Sequence, residues 1–265
     1  MPITVTAVRS VPKAATASVS LVTAEDVEAG VDGFDGAVLD TAGFAGNAEQ
    51  VHLQPVDGGF TGLVGVGPAS EVTATTVRRA GAALARACSR HARAAVRLPA
   101  DSAINDAAAR QALAEGVILG GYRYTVYKSS ADVGNGAPRL ARVDVVGSTS
   151  AAAKEALARG STIAAGVCVA RDLSNEPGGS LTAPAFARKA VAVARKAGLK
   201  SKVWTETEIK KQRLGGLLGV NRGSTHPPRY VELTYEPEGD PAATLAYVGK
   251  GITFDAGGLS IKTAQ

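Results

Sequence analysis

The chain has 265 residues, 45 % of them apolar and 20 % charged, with a formal net charge of +5. That length exceeds a single small core and suits one large domain or two ordinary ones, and the balance excludes a fibrous or disordered chain. The two cysteines, Cys88 and Cys168, exclude a disulfide framework and read as buried thiols in Ala-rich helices.

Ile3–Val8 reads as a first strand from its β-branched content, and Val19–Val22 and Gly36–Leu39 as two more. The N-terminus alternates like a strand and lacks the basic start and long apolar run of a signal peptide. No apolar stretch reaches the ~18 residues of a membrane span, so a cytoplasmic protein is expected. Residues 51–56 and 60–66 predict a hairpin turning at Asp57, Gly58 and Gly59. Glu71–Ala95 has the periodicity of an amphipathic helix, with Val77, Leu84 and Cys88 inward and Arg78, Arg79, Arg86, Arg90 and Arg93 on it. Ala94–Leu98 follows as a strand. Asp101 and Ser102 are expected to cap a second helix, whose apolar side carries Ala108, Leu113, Val117 and Leu119. Residues 122–129 leave that helix, 132–138 form a Gly- and Pro-bearing loop, and Val143–Val146 is a strand. Strands alternating with helices make residues 1–150 an α/β domain.

Ser150–Leu173 predicts a long connecting helix, so the second region, 151–265, opens there. Pro184–Ala197 is a helix closed by Gly198, Ser201–Trp204 a strand and Thr205–Gln212 a short helix. Arg229–Tyr235 and Thr244–Val248 are two apolar strands. The sheet of this second region is expected to be incomplete at Gln265.

Gly65-Val66-Gly67-Pro68-Ala69-Ser70 lies between a strand and a helix, as a dinucleotide fingerprint does. Its third glycine is missing and no acid ends the next strand, so a tight turn is the expected role. The basic residues are scattered, with no stripe interleaved with aromatics, which argues for a solvated surface over a nucleic-acid face.

The string 248–262, VGKGITFDAGGLSIK, is the strongest chemical signal. Lys250 and Asp255 stand five residues apart just beyond an apolar strand, among glycines 249, 251, 257 and 258. Ligand sites gather at the carboxyl ends of α/β strands, and glycine lets backbone approach a ligand closely. A carboxylate oxygen and a neutral amine can hold a dication, whose own charge favours the unprotonated amine. Spacing alone leaves a solvated loop with two surface lysines equally open. A Walker-type phosphate loop is excluded because Lys250 is followed by glycine.

The same string resembles the signature of the leucine (cytosol) aminopeptidase family, usually written with serine where Ala256 stands. ARDLSNEPGGSLTAPAFA at 170–187 and LGGLLGVNRGSTHPPRYVELTYEP at 214–237 resemble other blocks of the family's catalytic domain. LVGVGPASEVTATTVRRAGAALAR and EGVILGGYRYTVYKS resemble its N-terminal domain. The resemblance implies a small, macro-like N-terminal α/β domain, a connecting helix, and the beginning of a zinc-peptidase-like catalytic domain. It implies two divalent metal ions, zinc or manganese with magnesium as a third candidate. Lys250 is implied as a metal ligand, Asp255 as a carboxylate shared by both ions, and Lys262 as the catalytic lysine that steadies the substrate carbonyl. The family's remaining ligands, an aspartate shortly after the catalytic lysine and an aspartate and glutamate in a later acidic motif, have no counterpart up to Gln265. Only part of the site, in about half of an enzyme, is therefore expected here. Peptide substrates, with leucine and other apolar residues preferred, and a homohexamer are implied as well. His52, His91, His226 and Arg222 are expected to be structural. A nucleic-acid or nucleotide-binding role for the N-terminal domain is the alternative that the macro-like resemblance and the row of arginines raise.

Overall fold

The computed structural model describes residues 3–100, 102–129 and 139–253. Its packing divides the chain into two units, Met1–Ala170 and Arg171–Gln265.

In the first unit, β1 (Thr4–Val8), β2 (Ala17–Val22), β3 (Val51–Val56), β4 (Gly59–Gly65), β5 (Arg93–Arg97) and β6 (Arg142–Val146) form one sheet, ordered β1-β6-β5-β2-β4-β3. Neighbours run parallel except in the expected β3–β4 hairpin. One face carries Ala17, Val19, Leu21, Ala94, Val96, Val143 and Val145 into the main core. Helices α3 (Ala74–Ala87), α4 (Asp106–Gly120) and the first part of α5 (Ala151–Asn175) cover that face. On the other face, α1 (Ala24–Ala29) and α2 (Gly36–Thr41) lie over the β2 and β4 side, where Val22, Leu39, Phe44 and Leu63 make a second cluster.

The rest of that second face is polar. Residues 9–16 link the carboxyl end of β1 to the start of β2, with β6 and β5 lying between. So short a link has to cross the sheet, and the helical layer leaves it only the polar face. Beneath it Asp144 is wholly buried. Its carboxylate accepts from Thr6 Oγ1 at 2.9 Å, Arg93 Nε at 2.5 Å and Arg142 Nε at 2.8 Å. Burial alone would raise this carboxyl, but hydrogen bonds from Arg93, Arg142 and Thr6 outweigh it and hold it below the usual range.

Several sequence expectations are corrected. Gly36–Leu39 is not a strand but most of α2, because the Asp35 side chain accepts from Ala37 N at 2.8 Å and starts a helix. A short apolar run has no period that separates the two states. The helix expected over 71–95 is shorter. A Thr73–Thr76 capping box opens it at Ala74 and the chain turns at Cys88, so Arg93 lies on β5. The second long helix is capped by Asn105, whose Oδ1 accepts from Ala108 N at 2.9 Å, and not by Ser102. Ala103 N donates to Ala69 O, which keeps the segment before Asn105 out of the helix. Asp101 and residues 132–138 lie outside the described residues. Helix α1 had no expectation, although Thr23 and Asp26 cap it reciprocally.

The second unit holds α6 (Ala183–Lys196), β7 (Lys200–Trp204), α7 (Glu206–Lys211), α8 (Gly215–Asn221) and β8 (Tyr230–Thr234). β7 and β8 pair antiparallel, with Trp204 edge-on to Tyr230 and its indole N–H donating to Glu232. Among its described residues Leu181, Ala187, Ala194, Ile209 and Pro228 are buried. Thr244–Val248, expected as an interior strand, is irregular, with Leu245 78 % and Val248 96 % exposed. An extended segment becomes a strand only when a neighbour pairs its backbone, and no described strand does so here. No helix among the described residues is long and apolar enough to cross a membrane.

Asp144→Asn should destabilise the first unit by about 2 kcal/mol at neutral pH, less than for a wholly buried pair because both arginines reach solvent. A carboxyl held low in the fold stabilises above its unfolded value of about 3.9 and stops doing so as pH falls through the folded one. The gap to the parent chain should therefore hold down to about pH 5 and shrink progressively below about pH 4. Urea unfolding followed by circular dichroism measures it, and a gap undiminished in strong acid contradicts the ionised cluster.

Candidate metal centre

Of the three residues that the sequence picks out, the structure describes one. Asp255 and Lys262 lie outside the described residues. Lys250 sits in the exposed segment that follows β8, sixteen residues beyond Thr234. Its carbonyl accepts from Ile252 N at 3.1 Å, which closes a tight turn over Gly251. A Cβ added at Gly251 would stand 3.8 Å from the ring of Phe186, so this turn rests on the side of α6. Among the described residues no hydrogen bond or ion pair engages the Lys250 ammonium.

That arrangement fits a metal ligand in one respect. A lysine can turn its nitrogen lone pair to a dication only if no carboxylate already holds it as an ammonium. The second donor, Asp255, would add a hard oxygen with the negative charge a dication needs. Among the described residues no three His, Cys, Asp or Glu side chains converge as a metal site elsewhere.

The histidines take structural places. His52 on β3 packs its ring between Phe34 and Phe44, with centroids 6.0 and 6.1 Å away. His91 faces Thr16 Oγ1 at 3.2 Å and the edge of Phe60. His226 is exposed, beside Arg222 in an open groove next to α8, and its backbone is held by Asn221 and Ser224.

The Gly65–Ser70 segment is a tight turn rather than a phosphate cradle. Gly67 takes φ +86°, its N–H donates to Gly46 O, and its carbonyl accepts from Ala24 N. The carboxylate of Glu25 accepts from Ala69 N at 2.9 Å, where a phosphate would have to sit. That backbone hydrogen bond holds Glu25 below the usual carboxylate range. The row of arginines is also divided. Arg78 pairs with Glu115 at 2.6 Å, Arg79 and Arg86 approach Glu49 at 3.9 and 3.8 Å, and Arg93 serves Asp144.

The N-terminal-domain model of the cytosol aminopeptidase family matches residues 11–131, and the model of its catalytic domain matches residues 168–265. The chain belongs to the cytosol aminopeptidase family. A "probable cytosol aminopeptidase" of Streptomyces coelicolor is 38 % identical over 265 residues, which cover 91 % of this chain and 50 % of that protein. The chain thus spans about half the length of the curated relatives it matches. The solved structure of the bottromycin maturation enzyme BotP matches with a TM-score of 0.75 and 39 % identity, over 94 % of this chain and 51 % of that one. The same enzyme in complex with Mn matches at 0.70 and 36 %, over 84 % and 45 %. A mutant of tomato leucine aminopeptidase shares the fold, with a TM-score of 0.78 at 19 % identity, over 90 % of this chain and 52 % of its own. The α/β architecture expected from the sequence is the one observed.

Because Lys250 is exposed and holds no partner among the described residues, Lys250→Ala should shift the thermal midpoint of the 265-residue chain by less than about 1 °C. Calorimetry tests this, and a drop of several degrees would show that Lys250 supports the fold instead.

Proposed function

We propose that this chain contributes to a metal-dependent aminopeptidase that releases N-terminal residues, leucine and other apolar ones above all, from peptides. Residues 1–150 would be the N-terminal α/β domain, and 151–265 the connecting helix and the first part of the catalytic domain. The observation that carries the reading is the match of both family domains, in order, with the string VGKGITFDAGGLSIK inside the second. The Mn complex of BotP supports a metal requirement at the level of a relative.

In this reading Lys250 and Asp255 would hold two divalent ions, zinc or manganese with magnesium the third candidate, and Asp255 would serve both. When bound, such ions supply a nucleophilic hydroxide at neutral pH and polarise the peptide carbonyl. Asp255 keeps the charge balance of the site, its carboxylate offsetting part of the positive charge. Lys262 directs its ammonium at the substrate's carbonyl oxygen and stabilises the negative charge that grows there, an effect strongest where water is excluded. The proposal extends to a homohexamer in the cytoplasm, which sedimentation of the purified protein and cell fractionation would check.

In the protein as its gene encodes it, Asp255→Asn should abolish leucine-anilide hydrolysis and lower bound metal, with circular dichroism unchanged. Lys262→Ala should lower kcat by roughly 10²-fold or more while metal content stays the same, as loss of an oxyanion-stabilising donor does. Parental turnover in Asp255→Asn would remove the ligand assignment. Lost metal in Lys262→Ala, with kcat per metal unchanged, would make that lysine a ligand.

A further inference from the structure

Among the described residues of the first unit, one buried cation has hydrogen-bonding capacity unspent. Arg110, on α4, is 3 % exposed. Its Nε donates to Asp106 Oδ2 at 2.7 Å, but its Nη1 is buried with no hydrogen-bond partner. A buried N–H left without an acceptor costs about 1–3 kcal/mol, and more when the group is charged, so such a donor calls for an explanation. The other nitrogen of the same guanidinium, Nη2, lies at the carboxyl end of β6. A Cβ added at Gly147 would lie 3.4 Å from Arg110 Nη2.

Gly147 opens the turn from β6 into α5. It takes φ +129°, a backbone state that side chains rarely adopt, and its N–H donates to Val8 O at 2.9 Å. Ser148 and Ser150 follow, both exposed, and Ser150 Oγ accepts from Ala153 N as the cap of the helix. α5 is 25 residues long with no acidic residue in its first turn, so its positive end is uncompensated by side-chain charge. The charged residues in the segments that end or begin at this edge are mostly positive. Arg9 follows β1, Arg97 ends β5 beside Val146, and Lys154 lies on the first turns of α5. Asp106 and Glu155, the latter next to Lys154 on α5, are the carboxylates near it, and Asp106 is already engaged by Arg110 Nε.

We propose that this edge of the first unit, at the β6–α5 turn, binds a phosphate-type oxyanion. Arg110 supplies the fixed cation, Ser148 a hydroxyl that would turn to the anion from its present 3.2 Å bond to Ser150 Oγ, and the amino end of α5 the aligned backbone dipole. Glycine at 147 lets the anion come close to the backbone. An oxyanion suits the site better than a neutral ligand because a planar guanidinium, a hydroxyl and a helix amino terminus are all donors to negative oxygen. The position also obeys the general placement of ligands outside the carboxyl ends of α/β strands. It is independent of the peptidase reading, since it uses none of the residues at 248–262.

The test is thermal unfolding of the 265-residue chain in inorganic phosphate against sodium chloride of equal ionic strength. Phosphate at about ten times its dissociation constant should raise the midpoint by about 3 °C, and chloride should not. Arg110→Gln should erase the shift. Because that variant alters a buried side chain, Ser148→Asp provides a second reading: it adds a negative charge at an exposed position and should erase the shift with the fold unchanged. Adenosine 5′-monophosphate competing with inorganic phosphate would identify a phosphate ester as the source, and failure to compete would leave the free ion. No phosphate-specific shift, a shift that survives in both variants, or an equal shift with acetate overturns the proposal.

Discussion

The helical layer of the first unit depends on backbones that meet without side chains between them. A Cβ at Gly116 of α4 would fall 2.0 Å from the carbonyl of Arg78 on α3, and one at Gly160 of α5 would fall 2.3 Å from that of Gln111. Neither position has room for even a methyl group, so α3, α4 and α5 pack closer than branched residues allow. The alanine-rich composition follows from the same need. One consequence is that α4 is buried on most of its surface, including two charged residues. Glu115 can stand at the crossing only because Arg78 and Gln111 both donate to it. A buried carboxylate without them would carry its desolvation cost alone.

The opposite face obeys a different constraint. A mostly parallel sheet must be covered on both sides, and helices usually do this. Here two short helices cover only part of the face, and the remainder lies under the link between β1 and β2. A link of eight residues cannot bury a wide apolar surface, and the sheet beneath it is correspondingly polar: Thr6, Ser18, Ser20, Arg93, Arg142 and Asp144. Asp144 then acts as a tie between three strands, since its partners come from β1, β5 and its own β6. Alternation in β5 and β6 reflects this directly. Ala94, Val96, Val143 and Val145 point to the helices, and the residues between them are polar or small.

That alternation is why the strands were legible in the sequence, and why some elements were not. The β1, β2, β5 and β6 segments carry β-branched or small residues with the right period. α5 and α6 carry long runs of helix formers, and Gly198 closes α6 where that glycine was expected. Gly36–Leu39 has four residues and no period, so only the cap at Asp35 decides its state. α1 is short and lacks an apolar stripe, and its signal was the reciprocal Thr23–Asp26 cap rather than any pattern of burial. Thr244–Val248 shows the opposite failure. Its composition favours a strand, but strand formation is settled by a partner, and composition does not carry that information.

The same distinction separates the two halves in function. The first unit has an extensive core, and its geometry follows from packing. Among the described residues of the second unit few apolar side chains are buried, and the turn after Lys250 lies against the Phe186 ring. A catalytic group must be held within a fraction of an ångström of its working position, and among the described residues packing does not supply that restraint at Lys250. A ligand that binds several side chains at once supplies restraint of another kind, because the free energy of binding a metal is spent partly on ordering the chain that carries its ligands. The glycines at 249 and 251 suit such a segment, since they place few steric limits on how the backbone closes around a bound group. Residue types in a short string suggest the proposed chemistry, but a local string does not contain the contacts that would set its geometry.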